Sequence, residues 1–164
     1  MTTSLAPRGG DASRNKCRPA ALFATMNAAR STMGEPVPAP PPTILVVEDD
    51  VLVRSVVAAY LRECGFDVIE ANGADEAIRV LQAEVRVDIV FSDVNMPGSL
   101  DGFGLVQWLR RERPGLKIIL TSGAAQAVKD ASDLCAPVPV LAKPYDYAEL
   151  ARQLRALLSK NTSP

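Results

Sequence analysis

The sequence predicts an α/β fold: a doubly wound, five-stranded parallel sheet that carries helices on both faces. Between residues 43 and 160, short apolar runs alternate five times with amphipathic stretches of helical length. The runs are rich in branched residues and apolar throughout, which is typical of strands covered on both faces. Since parallel strands are joined by crossover connections, the amphipathic stretches are expected to be the helices that return the chain to the sheet.

Each predicted strand is a short apolar run that follows a turn or the end of a helix. The clearest is ILVV at residues 44–47, and Pro114 and Gly115 break the chain before the fourth run. The five predicted strands are residues 44–47, 66–70, 89–91, 118–120 and 138–141.

The predicted helices are marked by an apolar period of three to four residues and by residues that favour helix ends. Asp50 has the side chain of an N-terminal cap, and Gly65 is expected to end the same helix. The apolar side of this first helix comprises Val53, Val56, Val57, Tyr60 and Leu61. Further helices are expected at residues 74–83, 103–111, 126–134 and 147–158, with the weakest apolar pattern at 126–134.

Residues 1–42 differ from the rest of the chain in composition and in apolar pattern. They have no apolar period and end in the proline-rich segment PVPAPPP at residues 36–42. Such a segment buries too little apolar area to offset its chain entropy, and its prolines favour an extended spacer. We therefore expect a disordered tail at residues 1–42, followed by a single domain at residues 43–160.

Composition narrows the class of protein. Hydrophobic residues make up 48% and charged residues 23% of the chain, and the net charge of −1 gives no basic patch for nucleic acid or for an anionic membrane. Cys17, Cys64 and Cys135 lie too far apart for a zinc motif or a disulfide framework, which favours the reducing cytoplasm. The chain contains no histidine, and this excludes a histidine-dependent triad.

Polar residues are concentrated where the predicted strands end. Glu48, Asp49 and Asp50 follow the first strand, and Asp93 follows the third. A hydroxyl pair, Thr121 and Ser122, follows the fourth strand, and Lys143 follows the fifth. In parallel sheets, functional groups gather at the carboxyl ends of the strands. Neighbouring carboxylates repel by a few kcal/mol at an effective dielectric constant of about 20. Such a cluster therefore favours a bound cation. Because its ligands are hard oxygen atoms, the cation that suits it is Mg²⁺.

The motifs at these strand ends resemble the receiver domains of bacterial response regulators. They are VVEDD at residues 46–50, SDVNMP at 92–97, DG at 101–102, TSG at 121–123 and KPY at 143–145. Each motif alone is weak, but their order on four strand ends is specific. The resemblance covers residues 43–159 and implies a flavodoxin-like (βα)5 fold.

The resemblance also implies a role for each matching residue. Asp93 would be the nucleophile that forms an aspartyl phosphate, and Lys143 would neutralise the charge of the phosphoryl group. Ser122 would be the site hydroxyl, with Thr121 as the alternative. The residues that would hold Mg²⁺ are Glu48, Asp49, Asp93 and the backbone carbonyl of Asn95. Asp50 is expected to cap the following helix rather than bind the metal.

Taken together, the resemblance implies a single-domain response regulator rather than an enzyme with a separate substrate. The phosphoryl donor would be a sensor histidine kinase or a histidine phosphotransfer protein. The output would be contact with an unknown partner, a phosphorelay or a phosphate sink, by a monomer or a weak dimer. Three alternatives remain: a pseudo-receiver that binds partners constitutively, an aspartyl-phosphate hydrolase, and a nucleotide-binding flavodoxin-like domain. The last would need a glycine-rich loop after the first strand, where this chain has acidic residues instead.

One position and one loop depart from the family's usual pattern. Receivers often carry an aromatic residue three positions before the site lysine, where this chain has Val140. Valine is too small to act as the aromatic gate that couples the site to the surface. The loop after Asp93, which includes residues 97–102, is also one residue longer than the family's commonest form.

Overall fold

The computed structural model of the chain describes residues 39–123 and 138–159. The described strands and helices follow the predicted order, and they alternate as far as β4; residues 124–137, between β4 and β5, lie outside the described ranges. They are β1 (Thr43–Val47), α1 (Val51–Glu63), β2 (Asp67–Ala71), α2 (Ala74–Gln82), β3 (Ile89–Asp93), α3 (Gly102–Glu112), β4 (Lys117–Ser122), β5 (Val140–Ala142) and α4 (Tyr147–Ser159). Most of the predicted tail and the helix predicted at residues 126–134 lie outside the described residues, so the tail and the domain boundaries stay predictions.

Within the described ranges, five strands form one parallel sheet in the order β2-β1-β3-β4-β5. The chain moves outward from β1 to β2 and then crosses back to β3 on the other side of β1. Such a reversal of direction leaves a crevice at the carboxyl ends of the two central strands. The predicted α/β fold class is confirmed, and the crevice lies next to Glu48 and Asp93.

Helices cover both faces of the sheet and bury two apolar clusters. The α1/α4 core packs α1 and α4 on one face, and its buried members include Ile44, Val46, Phe91, Ile119, Leu61 and Leu150. The α2/α3 core packs α2 and α3 on the other face, with Leu45, Val90, Leu120, Leu81 and Leu105 among its buried members. Each fully buried side chain of this size contributes about 1.5–3 kcal/mol. The two cores therefore hold the strand ends in a fixed arrangement.

Helix α1 begins as predicted but faces the core differently. The Asp50 carboxylate accepts hydrogen bonds from the backbone N–H groups of Leu52 at 2.8 Å and Val53 at 3.1 Å, which confirms the cap. The assignment of Val56 to the apolar side was wrong, because Val56 is 51% exposed. The buried stripe runs through Val57, Ala58 and Leu61, and each helical residue is rotated by about 100° from the last, which places Val56 beyond its edge.

Several strands differ from their predicted bounds for identifiable reasons. The N–H of Phe66 binds the carbonyl of Leu61 at 3.2 Å, so this residue closes α1 and β2 starts one residue later. β5 starts at Val140 rather than 138, where pairing with β4 begins. β3 and β4 continue past their apolar runs, since Asp93 and Thr121 still pair in the ladder. Polar side chains end an apolar pattern without ending the backbone hydrogen bonding.

Among the described residues, no helix combines the length and the apolarity that crossing a membrane would require.

Candidate functional site

A lysine and two carboxylates meet at the carboxyl edge of the sheet. Lys143 Nζ lies 2.6 Å from Asp93 Oδ2 and 3.0 Å from Glu48 Oε2. These residues come from the ends of β5, β3 and β1, so the lysine joins carboxylates that are far apart in the sequence. Burial alone would lower the pKa of Lys143, but its hydrogen bonds to Asp93 and Glu48 outweigh burial and raise that pKa. The ammonium group is therefore charged at neutral pH.

The carboxylates of Glu48, Asp49 and Asp93 form a compact acidic cluster. One oxygen atom from each lies within 4.8 Å of the other two. Glu48 and Asp93 are buried, with 5% and 7% exposure, while Asp49 is exposed. Burial raises the pKa of Glu48 and the charge of Asp93 raises it further, although the hydrogen bond from Lys143 acts in the opposite direction. A divalent cation would relieve this repulsion, and three carboxylate oxygens without histidine or cysteine fit Mg²⁺.

The β1–α1 turn, residues 48–50, presents two of these three acids. The backbone N–H of Asp50 lies 3.4 Å from Glu48 Oε1, and its carboxylate caps α1. Arg54, one helical turn into α1, donates hydrogen bonds to the carbonyl oxygens of Glu48 at 2.6 Å and Asp49 at 3.4 Å. Arg54 was missed at the sequence level. Its position on the first turn of α1 is the signal that would have placed it beneath the acidic residues.

The β3–α3 loop, residues 94–101, surrounds Asp93 on the other side. The backbone N–H of Asn95 donates to Asp93 Oδ1 at 3.3 Å, and the side chain of Asn95 is exposed. At the far end of the loop, the N–H of Gly102 binds the carbonyl of Val94 at 2.9 Å. A Cβ atom on Gly102 would lie 2.7 Å from Val94 Cα and closer still to the carbonyl oxygen of Asp93. The Asp-Gly pair at residues 101–102 therefore brings α3 against the backbone of Asp93.

The two hydroxyls at the end of β4 lie on opposite faces of the strand. Ile119 belongs to the α1/α4 core and Leu120 to the α2/α3 core, so by alternation Thr121 shares the first face and Ser122 the second. Both are buried, and Thr121 pairs with Asp93 in the ladder. Among the described residues, Thr121 Oγ1 has no hydrogen-bond partner. The choice of Ser122 over Thr121 as the site hydroxyl stays a prediction.

Comparison with protein families matches residues 44–155 to the response regulator receiver domain. This chain belongs to that family. Apart from Thr43, the match spans the described sheet, and it includes the acidic cluster. It confirms the resemblance that the five motifs indicate.

Individual relatives place the same domain in different contexts. A probable transcriptional regulator, ycf27 of Cyanophora paradoxa, is 32% identical over 126 residues, which are 74% of this chain and 50% of that protein. The sensor kinase CckA of Brucella abortus is 36% identical over 120 residues, which are 72% of this chain and 13% of the kinase. This receiver chain thus spans about half the length of the first relative and a small part of the second.

A solved receiver supports the architecture directly. The response regulator protein TrrA of Thermotoga maritima, in complex with Mg²⁺–BeF, superposes with a TM-score of 0.65 at 27% identity. The match covers 71% of this chain and 99% of TrrA. This chain therefore shares its fold with nearly the full length of TrrA.

The structure places Val140, where the resemblance leads us to expect an aromatic residue, in the last strand of the sheet. It lies on β5, pairs with Leu120 of β4, and packs half-buried against the α2/α3 core. By alternation along β4, Ser122 lies on the same side of the sheet as Leu120 and Val140.

The predicted site residues are therefore close together in the fold. Glu48, Asp49, Asp93 and Lys143 form one cluster, and the backbone of Asn95 contacts Asp93. Ser122 ends β4 at the same edge, and its carbonyl accepts a hydrogen bond from the N–H of Lys143 at 2.8 Å.

Proposed function

We propose that this receiver domain accepts a phosphoryl group on the carboxylate of Asp93 in an Mg²⁺-dependent reaction. The observation that supports this best is the contact of Lys143 Nζ with Asp93 Oδ2 at 2.6 Å inside the acidic cluster. The ammonium group of Lys143, together with a cation bound at the candidate metal site, can neutralise the negative charge of a phosphoryl group on Asp93. Phosphoryl transfer depends mainly on such positioning and charge neutralisation.

The residues that would hold Mg²⁺ are Glu48, Asp49, Asp93 and the backbone carbonyl of Asn95. The first three supply oxygen atoms within 4.8 Å of one another, which fits a cation that takes one or two carboxylates and keeps several waters. When bound, Mg²⁺ would offset the negative charge of the cluster and of the phosphoryl oxygens. TrrA, which has the same fold, forms a complex with Mg²⁺–BeF.

Each residue of the site would have its own role in the transfer. An oxygen of Asp93 attacks phosphorus, the P–N bond to a donor phosphohistidine breaks, and the electron pair of that bond returns to the donor imidazole. Lys143 neutralises charge on the phosphoryl oxygens, and Ser122 donates a hydrogen bond to one of them. The backbone N–H of Asn95 holds Asp93 Oδ1. Water later attacks phosphorus, inorganic phosphate leaves, and the carboxylate of Asp93 is restored.

The proposed donor is a sensor histidine kinase or a histidine phosphotransfer protein. Support comes from relatives, since matching segments occur in the sensor kinase CckA and in the sensor kinase/phosphatase LuxN of Vibrio campbellii. We further propose that the phosphorylated state is read by contact with an output protein, or that the phosphoryl group is passed on or discharged. The domain would act as a monomer or a weak dimer.

A pseudo-receiver is the second candidate, and Val140 is the observation that favours it. Without an aromatic ring at this place on β5, a change at Ser122 has less to move in the α2/α3 core. In that case the domain would bind its partner whether or not Asp93 is modified.

Incubation with Mg²⁺ and acetyl phosphate tests the proposal. Intact mass should show an alkali-labile adduct of one phosphate on the parent chain, and removal of Mg²⁺ by a chelator should abolish it. The isosteric Asp93→Asn variant should show no adduct. A parent that stays unmodified with Mg²⁺ present would leave the pseudo-receiver, and rapid turnover of unrelated phosphate esters would indicate a hydrolase.

A further inference from the structure

The side chain of Arg54 is anchored directly beneath the acidic turn. Its guanidinium group donates to the carbonyl oxygens of Glu48 at 2.6 Å and of Asp49 at 3.4 Å. Only 15% of the side chain is exposed, so it is largely enclosed by its neighbours. The two carbonyls that it binds belong to the same two residues whose carboxylates enter the acidic cluster.

The guanidinium group of Arg54 also pairs with a carboxylate on the neighbouring strand. Arg54 Nε lies 3.7 Å from Glu70 Oε2, and Glu70 is on β2, at the edge of the sheet. Arg62 Nη2 contacts the other oxygen of the same carboxylate at 3.0 Å. The planar fork of arginine suits this task, since it can bind several oxygen atoms in a fixed geometry. Arg54 therefore ties the β1–α1 turn to the neighbouring strand.

The turn needs such support because it works against charge repulsion. Glu48 and Asp49 are adjacent in the chain, and both direct an oxygen atom to within 4.8 Å of Asp93. Without a bound cation, these like charges favour a turn that opens. Hydrogen bonds from Arg54 to the two backbone carbonyls oppose that opening without occupying any carboxylate oxygen.

We propose that Arg54 is a positioning residue for the cation site of this receiver: it fixes the backbone of Glu48 and Asp49 so that their carboxylates stay at the spacing a divalent cation requires. The inference rests on the proposed function, since it concerns the same acidic cluster. Residues that orient metal ligands typically change metal affinity by 10- to 100-fold when they are removed.

Positioning and charge make opposite predictions for this residue. Arg54 is a cation, so its charge alone opposes the binding of a second cation nearby. If only charge matters, its removal should tighten metal binding, and replacement by lysine should change little. If positioning matters, removal should weaken metal binding. Lysine should restore only part of it, because a single ammonium nitrogen cannot stand in both for Nη1, which binds the two carbonyls, and for Nε, which faces Glu70.

Binding of Mn²⁺, followed by the electron paramagnetic resonance signal of the free ion, separates the two accounts. Mn²⁺ shares the preference of Mg²⁺ for oxygen ligands. We expect about tenfold weaker binding in Arg54→Met and an intermediate loss in Arg54→Lys. Arg62→Met is the matched control: it removes the other partner of Glu70 but leaves the acidic turn untouched, and its affinity should stay within about twofold of the parent.

Circular dichroism of the metal-free variants checks folding, and if Arg54→Met does not fold, Arg54→Lys carries the test. Unchanged or tighter Mn²⁺ binding in the folded Arg54 variants would overturn the inference while leaving the proposed function intact. An equal loss in Arg62→Met would overturn it as well, since the effect would then belong to the ion pairs of Glu70 in general. A parent chain that binds no Mn²⁺ would overturn the proposed function together with this inference.

Discussion

The two connections that supply the acidic cluster are built in different ways. The β1–α1 turn has three residues, 48–50, and polar side chains hold it: Asp50 caps α1, and Arg54 binds two of its carbonyls. The β3–α3 loop, residues 94–101, is longer and is held at its base by backbone packing. There, Gly102 lies against the backbone of Asp93 and Val94 with no room for a side chain.

This difference predicts that the two connections respond differently to substitution. Hydrogen bonds of polar side chains contribute about 0.5–1.5 kcal/mol each, so losing one weakens a turn without displacing the chain. A backbone contact without spare volume leaves a larger side chain no place to go, and overpacking costs about 1–3 kcal/mol. The β1–α1 turn should therefore respond to substitutions in small steps, whereas the base of the β3–α3 loop should tolerate almost none.

The largest effect is expected at the base of the longer loop. Gly102→Ala should destabilise the fold by about 2–3 kcal/mol, because the new methyl group meets the backbone of Asp93 and Val94 rather than a flexible side chain. The midpoint of urea unfolding measures this loss. Labelling by acetyl phosphate should also slow, since α3 and the carboxyl end of β3 must separate to admit the methyl group.

Gly115→Ala is the matched control for this substitution. A Cβ atom on Gly115 would have no atom of another residue within 4 Å, apart from its chain neighbours. Unfolding midpoints that move equally in both variants would show that the loss comes from removing a glycine, and the contrast between the two connections would then fail.

A smaller effect is expected in the β1–α1 turn. Asp50→Ala should cost about 1 kcal/mol, because the N–H groups of Leu52 and Val53 lose their common acceptor. Asp50→Asn retains a side-chain oxygen for the same hydrogen bonds and should recover most of the stability. Thermal unfolding of both variants measures the difference. Equal losses in the two would point to the charge of Asp50 rather than to its capping hydrogen bonds.

The same contrast explains how much of the site could be predicted from the sequence. The proximity of Asp93 and Lys143 could be predicted because the carboxyl ends of parallel strands share one edge of the sheet, wherever the residues stand in the chain. Asp50 was placed as a cap because capping depends on neighbours two and three residues away. Both conclusions follow from the position of a residue in a strand or at a helix end, and neither needs the conformation of its side chain.

Other contacts depend on detail that the sequence does not carry. Arg54 reaches its two carbonyls through a long, flexible side chain whose direction is decided by packing. The contact of Ser99 with Asp75 joins the β3–α3 loop to the start of α2, 24 positions earlier in the chain. Val56 has the right chemistry for the core and lies outside it, because the buried stripe of α1 is narrower than an apolar pattern suggests.

The smallest effect is expected in the middle of the β3–α3 loop, at that exposed contact between Ser99 and Asp75. The hydroxyl of Ser99 donates to Asp75 Oδ1 at 2.5 Å, and its N–H donates to Oδ2 at 3.3 Å. The Ser99 hydroxyl, followed by its N–H, holds the pKa of Asp75 below the ordinary value of 3.8. Ser99→Ala should raise this pKa but leave it somewhat depressed, since the backbone donor remains. Carbon-13 NMR titration of the Asp75 carboxyl group measures the change.

The lowered pKa of Asp75 also predicts how the difference in Tm between the parent and Ser99→Ala depends on pH. A carboxyl group whose pKa falls on folding stabilises the fold above its unfolded value and loses that contribution as pH falls through the folded value. The parent should therefore exceed Ser99→Ala in Tm at neutral pH, and the difference should shrink as pH drops below about 3.8. In an Asp75→Asn background, Ser99→Ala should shift Tm by less. A Tm difference that persists undiminished at acid pH would mean that the loop is held by something other than this carboxylate, and the middle of the β3–α3 loop would then resemble its tightly packed base.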